Sequence, residues 1–298
     1  SYGNPLADVA QTYIMFWLNN SYDDAELYLD LYCGESHEDK EKIYAYISDG
    51  GVQEEISQGA GRIAGHLGLN NLIMFFDANA IQLSTPTADV ISEDTAAKYR
   101  AWNWNVMEID GNDVDQIRKA LTAANQETSR PTLIIGHCVM GKGARKADNS
   151  SYECNCATHG APLGGDAYIN TVKNLGADPE NPFVIWEETA QLYENRKDEL
   201  RTIVAERRKE EAEWAAANPK KAEMLKNWWE NKLPELPWDQ IEQKPNGPTR
   251  NASAACLSML SEHVGNMIVS SADLCNSDKT DGFLKHTTVI TRDNFAGG

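Results

Sequence analysis

Tyr44-Ala45-Tyr46-Ile47-Ser48-Asp49-Gly50-Gly51, followed thirty residues after Asp49 by Ala78-Asn79-Ala80-Ile81, decides the fold of this chain. Tyr44 to Ser48 reads as a short buried strand. Gln53 to Leu67 reads as a helix with Ile56, Ala60, Ile63, Ala64 and Leu67 on one face. Asp49 therefore stands at the C-terminal end of a strand, and Gly50-Gly51 lets the backbone approach a ligand at a helix start. Leu72 to Phe76 is the next strand, so Asp77-Ala78-Asn79 also lies at a C-terminal end. Asp49 and Asn79 thus project oxygens from neighbouring strand ends beside a phosphate-friendly turn. Magnesium suits that placement, because it takes few protein ligands and fills its octahedron with phosphate oxygens and water. Taken alone, Ser48 to Gly51 is most simply an ordinary turn between strand and helix. The spacing to Asn79 is what lifts it above that.

Outward from this pair the order is strand, helix, strand, helix, strand, helix, strand. Strands are expected near Tyr44–Ser48, Leu72–Phe76, Asn105–Ile109 and Thr132–His137, and helices near Gln53–Leu67, Glu93–Trp102 and Asp113–Glu127. Such alternation predicts an α/β fold, a doubly wound, mostly parallel sheet with ligands beyond the carboxyl ends of its strands. Asp49, Asn79 and Gly111 all fall there. Val139 to Gly165 is a long Gly-rich loop without periodicity, and loops of this length in compact domains serve function or are disordered.

Phe183 to Asn218 is a charge-rich helical run with a narrow apolar stripe, read as a solvated helical arm. Asn218-Pro219 caps a second helix through Trp228-Trp229. Residues 233–248 carry Pro-rich linker chemistry. The start of a second α/β domain follows, with a helix at Thr249–Glu262 and strands at Asn266–Ser270 and Thr287–Ile290. Before the first strand, Ala7–Leu18 and Asp23–Leu31 read as helices.

Composition narrows the partners. The 298 residues carry a formal net charge of -18, with 41% hydrophobic and 24% charged residues. An acidic field of that size opposes nucleic acid and anionic membranes. Six cysteines without a disulfide rhythm fit a reducing cytoplasm. Cys154, Cys156 and His159 cluster, but a structural zinc site takes four ligands. No apolar run approaches the roughly 20 residues of a membrane span. The chain begins with Ser1 and stops at Gly298 in mid-pattern, so both ends are expected to be cut.

Gln53-Glu54-Glu55-Ile56-Ser57, Ala64-Gly65-His66-Leu67-Gly68-Leu69, Asp110-Gly111-Asn112-Asp113, Gly141-Lys142-Gly143 and Thr158-His159-Gly160-Ala161-Pro162-Leu163-Gly164 resemble transketolase in order and spacing, from about Ile43 to Gly298. Ser48 and Ala78 stand where that family usually has Gly and Asn, and neither change removes a metal ligand. The resemblance implies thiamine diphosphate with Mg2+, for which Ca2+ can substitute. It puts the side chains of Asp49 and Asn79 and the carbonyl of Ile81 on the metal, and Gly50 against the diphosphate. His159 is implied as the catalytic histidine touching both cofactor and sugar; Cys156 stands where another family histidine can be.

Glu54 resembles a glutamate in a network across a dimer interface, or else a first-turn Glu complementing the helix dipole. Arg250 and Ser277 are implied to hold the substrate's terminal phosphate, and Asp273 to lie near the thiazolium of a partner subunit. The implied activity is reversible transfer of a two-carbon ketol unit between sugar phosphates in the pentose phosphate pathway, by a cytoplasmic homodimer. The implied domains are a diphosphate (PP) domain at 1–232 with an arm at 183–231, a linker at 233–248, and the start of a pyrimidine (Pyr) domain at 249–298. The activating glutamate is expected beyond Gly298. Two alternatives stay open: a related enzyme such as a deoxyxylulose phosphate or dihydroxyacetone synthase, and a non-catalytic fragment that binds cofactor or a partner chain.

Overall fold

The computed structural model describes residues 42–294. The helices expected at Ala7–Leu18 and Asp23–Leu31 lie outside that range. The chain forms two compact units, one holding Lys42–Leu200 and the other the described residues from Arg201 onward.

The first unit opens with β1 (Ile43–Ser48), α1 (Asp49–Gln53), α2 (Glu55–Leu67) and β2 (Leu72–Ala78). It continues through α3 (Thr95–Ala101), β3 (Asn105–Asp110), α4 (Val114–Asn125) and β4 (Thr132–His137). The four strands make one wholly parallel sheet in the order β1-β2-β4-β3. Parallel pairing needs a crossover between strands, and the intervening helices supply it. Thr132 to Gly136 of the central strand β4 are buried without a break, as for a strand covered on both faces. Ser48 pairs with Asp77, Ala78 with His137, and His137 with Asp110, so all four C-terminal ends finish level.

Local chemistry sets the helix ends. The Asp94 carboxylate accepts from the Ala97 amide at 2.8 Å to start α3, and Asp113 accepts from Asp115 and Gln116 at 2.9 and 3.1 Å to start α4. Gly68, at φ 69°, closes α2 in the left-handed conformation.

Two sequence expectations fail here. The single helix Gln53–Leu67 is two helices, because Glu54 is extended (φ -65°, ψ 133°) and turns the chain between them. The buried face of α2 also matches the expected one only in part, at Ala64 and Leu67. Ile56 and Ile63 are 64% and 40% exposed, whereas Ser57, Gly61, Ala64, Gly65 and Leu67 are buried. The reason is the aromatic group that receives the helix. Tyr99 makes edge contacts with Trp102 and Trp104 at 5.0 and 5.2 Å, and the Trp104 indole donates to the Gly61 carbonyl at 2.7 Å. A Cβ on Gly65 would stand 1.8 Å from the Trp102 carbonyl oxygen. Only small side chains allow that approach. On the sheet's opposite face, Ala120 and Ala124 of α4 pack with Ile73 and Ile134, flanked by Phe75, Met107, Ile109 and Leu121.

The Gly-rich loop after β4 is pinned to α5 (Gly165–Asn174). The Arg145 amide donates to Thr171 Oγ1 at 2.9 Å, and Asn174 Nδ2 donates to the Gly143 carbonyl at 2.9 Å. Then comes α6 (Glu187–Ala217), 31 residues long with no buried residue. The division between the units falls inside it, ahead of the Pro-rich stretch at 233–248.

The second unit contains α7 (Pro219–Trp229), α8 (Thr249–His263), the short α9 (Cys275–Asp278) and a 3-10 segment, Thr280–Lys285. Phe283 is buried, and a Cβ on Gly282 would meet the Ala254 carbonyl oxygen at 2.5 Å, so the 3-10 segment lies tight against α8. The strands expected at Asn266–Ser270 and Thr287–Ile290 do not form. A strand is held by a neighbour's backbone, and the described residues of this unit offer only one isolated bridge, Thr291 to Asn294.

Candidate functional site

Asp49 is the most enclosed acidic group at the sheet's carboxyl end, at 4% exposure. Its Oδ2 accepts from the Asn79 amide at 3.0 Å and its Oδ1 from the Thr87 hydroxyl at 3.3 Å. Asn79 Oδ1 accepts in turn from the Ile81 amide at 3.1 Å. The turn carrying them is closed by the Thr87 amide on the Ala80 carbonyl at 2.9 Å, and Ala80 itself is left-handed at φ 63°. Such a backbone costs an alanine about 1 kcal/mol or more and persists where the surroundings enforce it. Hydrogen bonds thus make neighbours of Asp49, Asn79 and Ile81.

Burial raises the pKa of Asp49 above the ordinary carboxylate range, against the opposing hydrogen bonds from Asn79 and Thr87; the nearby Asp77 carboxylate raises it further. The surrounding field is negative. Cys138 is pushed up to about 12, by burial first and then by Asp77, Asp110 and Asp49. Tyr46 is also shifted upward, by burial and then by its hydrogen bond to Asp77. A pocket of about 340 Å³ opens beside Asp49, Val52, Phe76, Ala80, Thr87 and His137. Among the described residues nothing stands within 4 Å of a Cβ built on Gly50, which leaves the backbone there open to close approach.

These features fit a divalent cation. Oxygen donors suit hard ions, the site lies where parallel sheets bind ligands, and Asp49 accepts from the Asn79 amide and the Thr87 hydroxyl.

The other predicted residues are placed separately. His159 is exposed, directly after a 3-10 turn at Cys156–Thr158 and before Gly160 at φ 80°. Glu54 is exposed at the bend between α1 and α2, and so is not in the first turn of a helix. In the second unit, Arg250 is exposed in the first turn of α8, and Ser277 is exposed in α9. Asp273 is exposed and left-handed at φ 66°. Cys154 and Cys156 are free thiols, and no three His, Cys, Asp or Glu side chains among the described residues gather into a metal cluster.

Sequence reasoning missed Thr87, Tyr46 and Asp77. The first is hidden by loop geometry. The other two were visible in principle: with β1 and β2 level and parallel, Tyr46 pairs with Phe75 and comes diagonal to Asp77.

Comparison with known proteins adds an independent line. Residues 29–234 match the family described as transketolase, thiamine diphosphate binding domain. A transketolase of Staphylococcus aureus (strain MRSA252) is 32% identical over 249 residues, covering 80% of this chain and 36% of that protein. A dihydroxyacetone synthase of Pichia angusta is 32% identical over 244 residues, covering 78% of this chain and 33% of that protein. A solved transketolase of Pichia stipitis, in complex with sedoheptulose-7-phosphate, superposes with a TM-score of 0.78 at 26% identity, over 99% of this chain and 42% of its own. The chain therefore spans about a third of the length of the curated relatives it matches. No helix among the described residues is long and apolar enough to cross a membrane.

Proposed function

The chain belongs to the transketolase family, and from that premise we propose that it carries the diphosphate-and-metal half of an enzyme transferring two-carbon ketol units between sugar phosphates. The observation that supports this reading is the buried Asp49 carboxylate at the sheet's carboxyl end, bonded by the Asn79 amide, with the Asn79 side-chain oxygen accepting from the Ile81 amide on the same turn. Asp49 Oδ, Asn79 Oδ1 and the Ile81 carbonyl would hold Mg2+ or Ca2+, and the metal would anchor the diphosphate beside Gly50. When bound, thiamine diphosphate supplies the carbon nucleophile, and the protein supplies binding, orientation and electrostatics.

The imidazole of His159 donates to a diphosphate oxygen or exchanges a proton with a sugar hydroxyl near neutral pH. Arg250 grips the sugar's terminal phosphate with its guanidinium fork, and Ser277 adds a hydroxyl. Glu54 joins a network at a subunit interface, and Asp273 serves the thiazolium end of a partner's site. The working assembly is a cytoplasmic homodimer in the pentose phosphate pathway. Its domains follow the division already expected: 1–232 with an arm at 183–231, a linker at 233–248, and a second domain from 249.

A second reading, dihydroxyacetone synthase, is favoured by the Pichia angusta relative of equal identity. Arg250 with Ser277 argues for phosphorylated sugars instead. Calorimetric titration of thiamine diphosphate with and without Mg2+ tests the premise. Binding should require the cation and weaken about 10- to 100-fold or more in Asp49→Ala. Metal-independent binding, or an Asp49→Ala variant as tight as the parent, would overturn the site assignment.

A further inference from the structure

Cys154-Asn155-Cys156 plays no part in the scheme above, yet it stands just ahead of His159 in the Gly-rich loop. Cys154 is exposed, Cys156 is half-buried, and both are free thiols. Asn155 between them is extended, at φ -119° and ψ 122°. One extended residue spaces its two neighbours by about 6.6 Å, within the roughly 4.4–6.8 Å over which disulfides join Cα atoms. Cys154 is left-handed at φ 52°. That conformation disfavours a side chain by about 1 kcal/mol or more, so rotation at this residue towards Cys156 is downhill for its backbone.

Thiols that oxidise selectively are exposed and have a second thiol beside them to resolve the product. The other described cysteines have no such neighbour in sequence. Cys138 is pushed up to about 12 by burial and then by its hydrogen bond to Asp77, Cys256 is half-buried in α8, and Cys275 is exposed in α9.

The pair is tied directly to His159. The His159 amide donates to the Cys156 carbonyl at 3.0 Å, and the Thr158 hydroxyl to the Asn155 carbonyl at 2.7 Å. Upstream, the Cys154 amide donates to the Met140 carbonyl at 2.9 Å, beside Gly141-Lys142-Gly143. Drawing Cys156 towards Cys154 therefore disturbs the carbonyl that holds His159.

We infer that Cys154 and Cys156 form a redox switch, a dithiol that a peroxide closes to a disulfide and a dithiol reductant reopens, and that closing it displaces His159. One thiolate attacks a peroxide oxygen and becomes a sulfenic acid as the O–O bond breaks and water leaves; the second thiolate attacks that sulfur and expels its oxygen as water. Two electrons pass from the two sulfurs to the peroxide, and the two thiol protons end in the two waters. Any effect on cofactor binding rests on the role proposed for His159; the bridge itself does not.

Trypsin releases residues 147–173 as one peptide that contains Cys154, Cys156 and His159 and no other cysteine or histidine. The test treats the reduced 298-residue chain with hydrogen peroxide, then alkylates free thiols and marks imidazoles with diethyl pyrocarbonate, and reads that peptide by mass spectrometry. Peroxide should make it two hydrogens lighter and block alkylation at both cysteines, and dithiothreitol should reverse this. His159 labelling should change about threefold or more, as the loss of one hydrogen bond implies. In Cys156→Ser, peroxide should form no bridge and leave His159 labelling as it was.

Thiols that stay alkylatable, or that pass to sulfinic acid without bridging, overturn the switch. A bridge that leaves His159 labelling unchanged, or an equal change in Cys156→Ser, overturns its coupling to His159. Calorimetry of thiamine diphosphate with Mg2+ separates the two readings. A closed bridge with altered His159 labelling and unaltered cofactor affinity upholds the switch and removes His159 from the cofactor site.

Discussion

The two units carry comparable strand-like and helix-like sequence, yet only the first turns its extended segments into a sheet. β1, β2 and β4 each find a parallel neighbour that satisfies their amides and carbonyls, and the level strand ends create the Asp49 site. Asn266–Ser270 and Thr287–Ile290 have no such neighbour among the described residues, and the second unit is organised by α8 against Thr280–Lys285 instead. Strand propensity is therefore a conditional property. It describes what a segment becomes when a partner is present.

The largest expected effect would break the first unit alone. Gly65→Val forces a side chain into the Trp102 carbonyl and the Trp104 ring. Destabilisation of about 3 kcal/mol or more should follow, read as a lowered melting temperature in tryptophan fluorescence. The counterpart in the second unit is Gly282→Ala, whose Cβ would press on backbone atoms of Ala254. A loss of about 1–3 kcal/mol is expected there, seen as faster proteolysis around Thr280–Lys285. Equal lowering of a single common transition by both variants would mean that the two glycine contacts act on one unfolding event.

A smaller change sharpens the comparison inside the first unit. Asp113→Ala removes the oxygen that caps α4, and should cost about 1 kcal/mol in chemical denaturation. Helix α2 has no side-chain cap at Glu54, so Glu54→Gln should leave stability within about 0.5 kcal/mol of the parent.

The subtlest effect is with pH. Because the folded-state pKa of Asp49 is raised, the folded state holds that proton more firmly than the unfolded chain does. Its contribution to stability is complete below the ordinary aspartate range and is lost as pH climbs through the raised value. Asp49→Asn should therefore melt higher than the unliganded parent near neutral pH, with the difference shrinking towards acid. A constant difference across that window would mean that Asp49 is not strained by its burial.

How far the site was legible depends on what each residue answers to. Asp49 and Asn79 could be read because a strand end and a turn are both local, and parallel alternation places two such ends side by side. The buried face of α2 could not. Hydrophobic periodicity favours Ile56 and Ile63, whereas the packing is chosen by size, and the size limit comes from Trp102 and Trp104 some forty residues away. Asp77 was overlooked for a related reason: its partner, Tyr46, is fixed by the register between two strands. The break at Glu54 left no signal, since the residues on either side favour helix equally well.

That register makes the sheet its own measuring device. A parallel ladder that slipped by one residue would send Tyr46 to the opposite face of the pleat and separate its phenol from Asp77. The phenol's ultraviolet absorption changes when its proton is shared with a carboxylate, so during refolding this one tyrosine times the moment at which β1 and β2 arrive in step, before any ligand is added.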